Sequence, residues 1–213
     1  MATKKEQIIE VKQVKINRAK VSIEGTSDLV LNKMNDVSAK KLIDQRKDKA
    51  KDTEKPNVWE EIITSMHWYN GKPTDFSEEG LIKALKENAP CITSFGLKKS
   101  FGEAVTRNEI AQYSTKFNNG MNVNGKGGLV PITFVEHYVD EKLMSPKKGA
   151  PVLVHLNRFV GWKATFEIEY TDNVYSLEQI VNIINLAGFG LGIGSGRSSG
   201  YGRYKVVNIE SVE

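Results

Sequence analysis

Trp162, Ala164, Phe166, Ile168 and Tyr170 alternate with Lys163, Thr165, Glu167 and Glu169, which gives a strand over 162–170 one apolar and one polar face. The same period of two runs through Ile9, Val11, Val14, Ile16, Val21 and Ile23. It predicts a first strand over 7–24, broken near 17–19 by a bulge or tight hairpin and ended by Gly25. Val130, Ile132 and Phe134 predict a strand over 130–139, Val152 to Leu156 a short one, and Tyr204, Val206, Val207 and Ile209 a last one over 203–210. Helical spacing replaces this alternation elsewhere. Leu81, Ile82, Leu85 and Ala89 follow the N-cap Ser77 and predict a helix over 77–89. Ser176 and Gln179 form an S-x-x-Q capping box ahead of Leu177, Ile180, Val181, Ile184 and Ala187, a helix over 176–187 closed by Gly188. Shorter helices are read at Val58–Ile62–Met66 and over 94–110, and a short apolar turn or helix at Leu29–Met34. The principal elements run β-α-β-β-α-β. This is an α+β, ferredoxin-like antiparallel sheet in a single domain over 1–213, with a large, mostly helical insertion at about 26–76.

Composition narrows the chemistry. Of 213 residues, 26% are charged and 39% hydrophobic, which excludes a disordered chain, and no apolar run is long enough to span a membrane. The charged start, Met1 to Gln7, is no secretory signal, and a lone Cys91 permits no internal disulfide, so a cytoplasmic location is expected. A net charge of +4 is compatible with a polyanionic partner without demanding one. Lys40 to Lys55 carries seven basic and four acidic residues and reads as a solvated helix running into a loop.

The densest signal is Leu186-Ala-Gly-Phe-Gly-Leu-Gly-Ile-Gly-Ser-Gly-Arg-Ser-Ser-Gly-Tyr-Gly-Arg-Tyr204, which holds seven of the 18 glycines. It lacks the Walker lysine. It also follows a helix and leads into a strand, the reverse of a dinucleotide-binding turn, so neither nucleotide hydrolysis nor a nicotinamide cofactor is expected. Phe189, Leu191 and Ile193 mark Gly188–Gly194 as a packing segment. From Gly194 onward, Ser195, Gly196, Arg197, Ser198, Ser199, Gly200, Tyr201 and Arg203 turn polar and cationic. Glycine-permitted backbone amides with two guanidinium forks suit phosphate, and Tyr201 or Tyr204 would stack on a base.

A glycine-rich loop between the second helix and the last strand resembles the RAMP superfamily of CRISPR-associated RNA-binding proteins, over 162–210 in detail and before that by element order. The same tail, with the Gly25-Thr-Ser segment, is similar to an uncharacterised family of bacteriophage proteins. The resemblance implies an RNA, single-stranded DNA or phosphorylated nucleotide as partner, held by the loop. The role it implies is binding or sequestration, against a host defence among other settings, without cofactor. RAMP endoribonucleases cleave without metal through a histidine near the first helix, and Gly25–Met34 holds none. His67, in the insertion, would serve only if that insertion folds back over the loop. His137 alternates with Val135 on a strand, and His155 sits in an apolar run. Glu167 and Glu169 share a strand face without a third ligand, so no metal is expected. An endoribonuclease using His67 or His137 is the second reading. A structural homo-oligomer packed through its glycines is the third.

Overall fold

The structure is a computed structural model and describes residues 14–46, 57–144 and 151–212. In chain order the elements are β1 (Asn17–Gly25), β2 (Leu29–Leu31), α1 (Asp36–Arg46), α2 (Val58–Thr64), β3 (His67–Trp68), α3 (Glu78–Glu87), β4 (Pro90–Thr93), α4 (Ser94–Arg107), α5 (Thr115–Gly120), β5 (Met121–Asn124), β6 (Leu129–Thr133), β7 (Glu136–Met144), β8 (Val152–Val160), β9 (Lys163–Tyr170), α6 (Leu177–Gly190) and β10 (Tyr204–Val212). A 3₁₀ turn covers Arg197–Ser199.

Two antiparallel sheets result. The larger has seven strands in the order β10-β1-β9-β6-β4-β3, with β5 also on β9; the smaller is β2-β8-β7. The arrangement is α+β and antiparallel, and an order that sets β1 between β10 and β9 is compatible with a βαββαβ unit. On the covered face, Ala19, Val21, Ile23, Phe166 and Ile168 are buried as their alternation demands. Phe101 of α4 packs on Phe166 at 6.1 Å, and the isoleucine stripe Ile180, Ile183, Ile184 of α6 lies beside α4. Burying a side chain such as Phe101 completely is worth about 3 kcal/mol.

The capping box forms as written in the sequence: the Gln179 amide donates to Ser176 Oγ at 3.2 Å and the Ser176 amide to Gln179 Oε1 at 3.0 Å. Ser77 caps α3 through the Gly80 amide at 3.0 Å.

Other expectations are corrected. The helix packed beside α6 is α4 rather than the one expected over 77–89; α3 neighbours α2 instead. The strand expected over 130–139 is two, because the chain leaves the large sheet after Thr133 and joins the small one at Glu136. Leu29–Leu31 is a strand, and the bulge in β1 falls at Ser22/Ile23, opposite β10. α6 continues past Gly188 to Gly190. A Cβ at Gly188 would collide with the Tyr204 carbonyl, so that glycine serves close helix–strand packing rather than a left-handed stop. The beginning of the first strand, most of the solvated run after Arg46, and the turn at 145–149 lie outside the described residues.

Candidate nucleic-acid interface

The loop after α6 is laid along β2. The Ser195 amide donates to the Val30 carbonyl at 2.8 Å, Ser195 Oγ to the Asn32 carbonyl at 3.2 Å, and the Gly202 amide to the Asp28 carbonyl at 2.8 Å. Ser27 Oγ donates to the Gly200 carbonyl at 2.8 Å and accepts from the Arg203 amide at 2.9 Å. Two glycines are obligatory. Gly194 (φ 77°) and Gly202 (φ 71°) occupy left-handed backbone, and a Cβ would run into the Val30 carbonyl from one and the Ile193 carbonyl from the other.

These contacts redistribute the expected cup. The amides of 195 and 199–203 all have protein acceptors, whereas those of Gly196, Arg197 and Ser198 have none among the described residues. Arg197 pairs with Glu103 of α4 at 3.2 Å, and Arg203 donates to the Phe189 carbonyl at 2.7 Å, so both forks are held by the protein. Ser198 and Ser199 are exposed, and Tyr204, expected to stack on a base, is core, packed edge-on to Trp162 at 6.2 Å.

Tyr201 belongs to a clamp that sequence reading missed. Arg158 of β8 lies between Tyr138 and Tyr201, 5.0 and 4.9 Å from their ring centroids. Its terminal nitrogens bond Asp28 at 2.7 Å and Asp140 at 3.1 Å. The signal available in sequence was Tyr138 and Asp140 on one face of a strand. Their partners come from β8, the β1–β2 turn and the glycine loop, and only the fold unites them.

What the structure does bring together is a cleft of about 220 Å³ walled by Lys33, His67, Cys91, Thr93, Gly96 and Ser195. β3 pairs with β4, His67 opposite Cys91, and this ladder carries His67 to the loop from more than a hundred residues away. Residues 31–33 and 65–67 thus line the same cleft as residues 193–195 of the loop. The N-terminal turn of α4 forms another wall. Thr93 Oγ1 caps it by accepting from Gly96 N at 3.0 Å, and its dipole turns the positive end toward the cleft. Burial, then the Lys33 charge, lowers the His67 pKa, so the imidazole is neutral at pH 7. Its ring nitrogens have no partner among the described residues. Burial pushes the Cys91 thiol up to about 12, which removes it as a nucleophile.

The other candidates have structural partners. Asn157, fully buried, donates from Nδ2 to the Ile62 carbonyl at 3.0 Å and to Ser65 Oγ at 2.9 Å. Its Oδ1 therefore faces His137 Nε2 at 2.9 Å, which must carry the hydrogen. Burial lowers the His137 pKa and keeps it neutral. His155 Nε2 lies 3.5 Å from Glu141. Glu169 and Glu167 are met by Arg18 at 3.0 and 4.0 Å, and Glu24 by Lys163 at 3.1 Å, so the open sheet face is a neutralised ladder. Among the described residues, no three His, Cys, Asp or Glu side chains converge on a metal position, and no helix is long and apolar enough to cross a membrane.

No family model matches the chain, and no curated protein matches it. Among solved structures it is similar to a chain of the Type III-B Cmr-beta complex bound to cognate target RNA, determined by cryo-EM, with 15% identity and a TM-score of 0.50. The match covers 93% of this chain and 61% of that one, so this chain spans about three-fifths of its neighbour's length, and at this identity the likeness is one of fold.

Proposed function

We propose that this chain is an RNA-binding protein of RAMP-like type that acts by binding or sequestration and holds a phosphate of single-stranded RNA in the cleft beside its glycine-rich loop. One observation carries the reading: Lys33, the α4 N-terminal turn and Gly194–Ser195 converge on one concave site, a cation, a helix dipole and a close backbone approach of the kind that suits an anion. The fold neighbour's RNA-bound state favours RNA over single-stranded DNA or a free nucleotide. The neutralised sheet face argues against binding across the sheet, since Glu167 and Glu169 would repel phosphate wherever Arg18 failed to screen them.

The test is fluorescence anisotropy of the full chain with labelled single-stranded RNA across a salt series. Lys33→Ala should weaken binding and reduce the slope of log K against log salt by about 0.7, the share of one phosphate contact on a single strand. An unchanged slope, or equal affinity for single-stranded DNA and RNA, would refute the assignment.

A second reading rests on His67, a neutral imidazole whose ring nitrogens have no partner among the described residues, in the same cleft as a lysine. With His67 as base, the 2′-oxygen gives up its proton and attacks the adjacent phosphorus. A 2′,3′-cyclic phosphate forms as the bond to the 5′-oxygen breaks, and the imidazolium returns the proton to that leaving oxygen while Lys33 steadies the phosphate. This is metal-independent RNA cleavage. Cleavage of labelled RNA in EDTA that disappears in His67→Ala would establish it.

A further inference from the structure

The cleft does not end at Lys33. Asn32 and Lys33 also form the near wall of a second, larger depression of about 450 Å³, which runs between the start of α1 and β8. Its apolar lining is open: Met34 is 61% exposed, Val152 54% and Leu153 52%. Aliphatic side chains this exposed, gathered around one groove, are a binding feature rather than scattered surface. The polar lining comprises Lys41 of α1, Asn35, Ser38, His155 and a carboxylate, Glu61. Lys33 shares Asp36 with Lys72: the carboxylate lies 2.6 Å from Lys72 and 3.8 Å from Lys33, so the Lys33 ammonium is only partly countered. Lys33 and Lys41 against Glu61 leave the groove net positive.

The two volumes differ in what they can hold. Small-molecule pockets start at about 300 Å³, so the cleft is too small for a whole nucleotide but adequate for a phosphate with part of a ribose. The adjoining groove accommodates a nucleoside. We infer that the groove bounded by Met34, Lys41, Val152 and Leu153 is a second subsite for the nucleotide that follows the phosphate held at Lys33, so that the recognised unit is a stretch of unpaired RNA rather than a mononucleotide. This rests on the cleft being the phosphate site. A base lying on Met34 and Val152 offers its flat face to a polarisable thioether and a branched aliphatic, an arrangement that depends little on base identity. A base-paired strand cannot turn its faces into the groove, so duplex is excluded.

The experiment compares adenosine 3′-monophosphate, whose phosphate has no nucleoside after it, with an oligoadenylate tetranucleotide on the full chain, by competition against a labelled strand. The tetranucleotide should bind at least about tenfold tighter, within the range that stacking one base supplies. Met34→Ser and Val152→Ser, both at exposed positions, should each cost most of that gain and leave mononucleotide affinity unchanged. A tetranucleotide that binds no better than the mononucleotide, or one indifferent to both substitutions, overturns the second subsite while the phosphate cleft stands. Failure of both ligands to compete overturns the cleft as well. The length comparison needs no variant, so it decides even if one substitution unfolds the chain.

Discussion

Replacing Arg158 with methionine tests whether the clamp fixes the glycine loop. The substitution keeps an unbranched stem between the two tyrosine rings but deletes the guanidinium. Lost with it are the pairs to Asp28 at 2.7 Å and Asp140 at 3.1 Å, where the arginine is 20% exposed and the carboxylates 26% and 34%. Such pairs lie between an exposed bridge, worth about 0–1 kcal/mol, and a fully buried one, whose disruption costs about 3–5 kcal/mol, so about 2 kcal/mol is reasonable. Two cation–π contacts add about 0.5 kcal/mol each, and methionine returns part of that through sulfur–aromatic contact. Arg158 Nε is buried with no acceptor among the described residues, so its removal gives back about 1 kcal/mol. The net loss is about 1.5 kcal/mol, or a fall in melting temperature of about 3–6 °C for a chain of this size. Urea unfolding followed by tryptophan fluorescence should report it, since buried Trp162 donates to the Ser27 carbonyl at the foot of the loop. A double-mutant cycle with Tyr201→Leu should give a coupling of at least about 0.5 kcal/mol. A loss below about 0.5 kcal/mol, or no coupling to Tyr201, would show that the loop holds its shape without the clamp.

Glycine substitutions should divide sharply. Gly202→Ala places a Cβ against the Ile193 carbonyl in left-handed backbone and should cost about 3 kcal/mol or more, whereas Gly190→Ala meets nothing and should be neutral or slightly stabilising; thermal melts separate them. His137 and His67 both have pKa values below the ordinary 6.5, so the unfolded chain takes up protons first as pH falls. Their contribution to stability is complete above that value and declines below it, at up to about 1.4 kcal/mol per pH unit for each histidine, until the folded pKa is passed. Urea midpoints from about pH 7.5 down to about pH 5.5 should fall, and His137→Gln should flatten the decline; a flat wild-type profile would contradict neutral burial. Asn157→Leu strands the Nε2–H of His137 in the interior and should cost about 2–3 kcal/mol, measured by the same unfolding.

Local rules fixed much of this fold, and long-range pairing the remainder. The capping box of α6, the two-faced β9 and the stripe of α6 were legible because each is decided within a dozen residues. Leu29–Leu31 was not, since a strand buried on both faces shows no period. Phe134 continued an alternation that the backbone abandons one residue earlier, a switch between sheets that leaves Val135 83% exposed and no local mark. The glycine loop was legible as a special segment and as a close-packing device, but not the destinations of its arginines: Glu103 and the Phe189 carbonyl are chosen by how α4 and α6 pack. His67 could be named from sequence but not placed, because β3 is only two residues long and its pairing with β4 is what delivers it.

Loops are ordinarily where related chains gain and lose residues. The stretch from Ile193 to Arg203 is closed on itself by the Ile193 amide donating to the Gly202 carbonyl, and is bonded at Ser195, Gly200, Gly202 and Arg203 to β2 and the turn before it, like a lace through fixed eyelets. Adding one residue would shift every later bond out of register at once. Length variation in chains sharing this architecture should therefore avoid the glycine-rich segment and gather at turns such as the one at Gly71, where the surroundings are open.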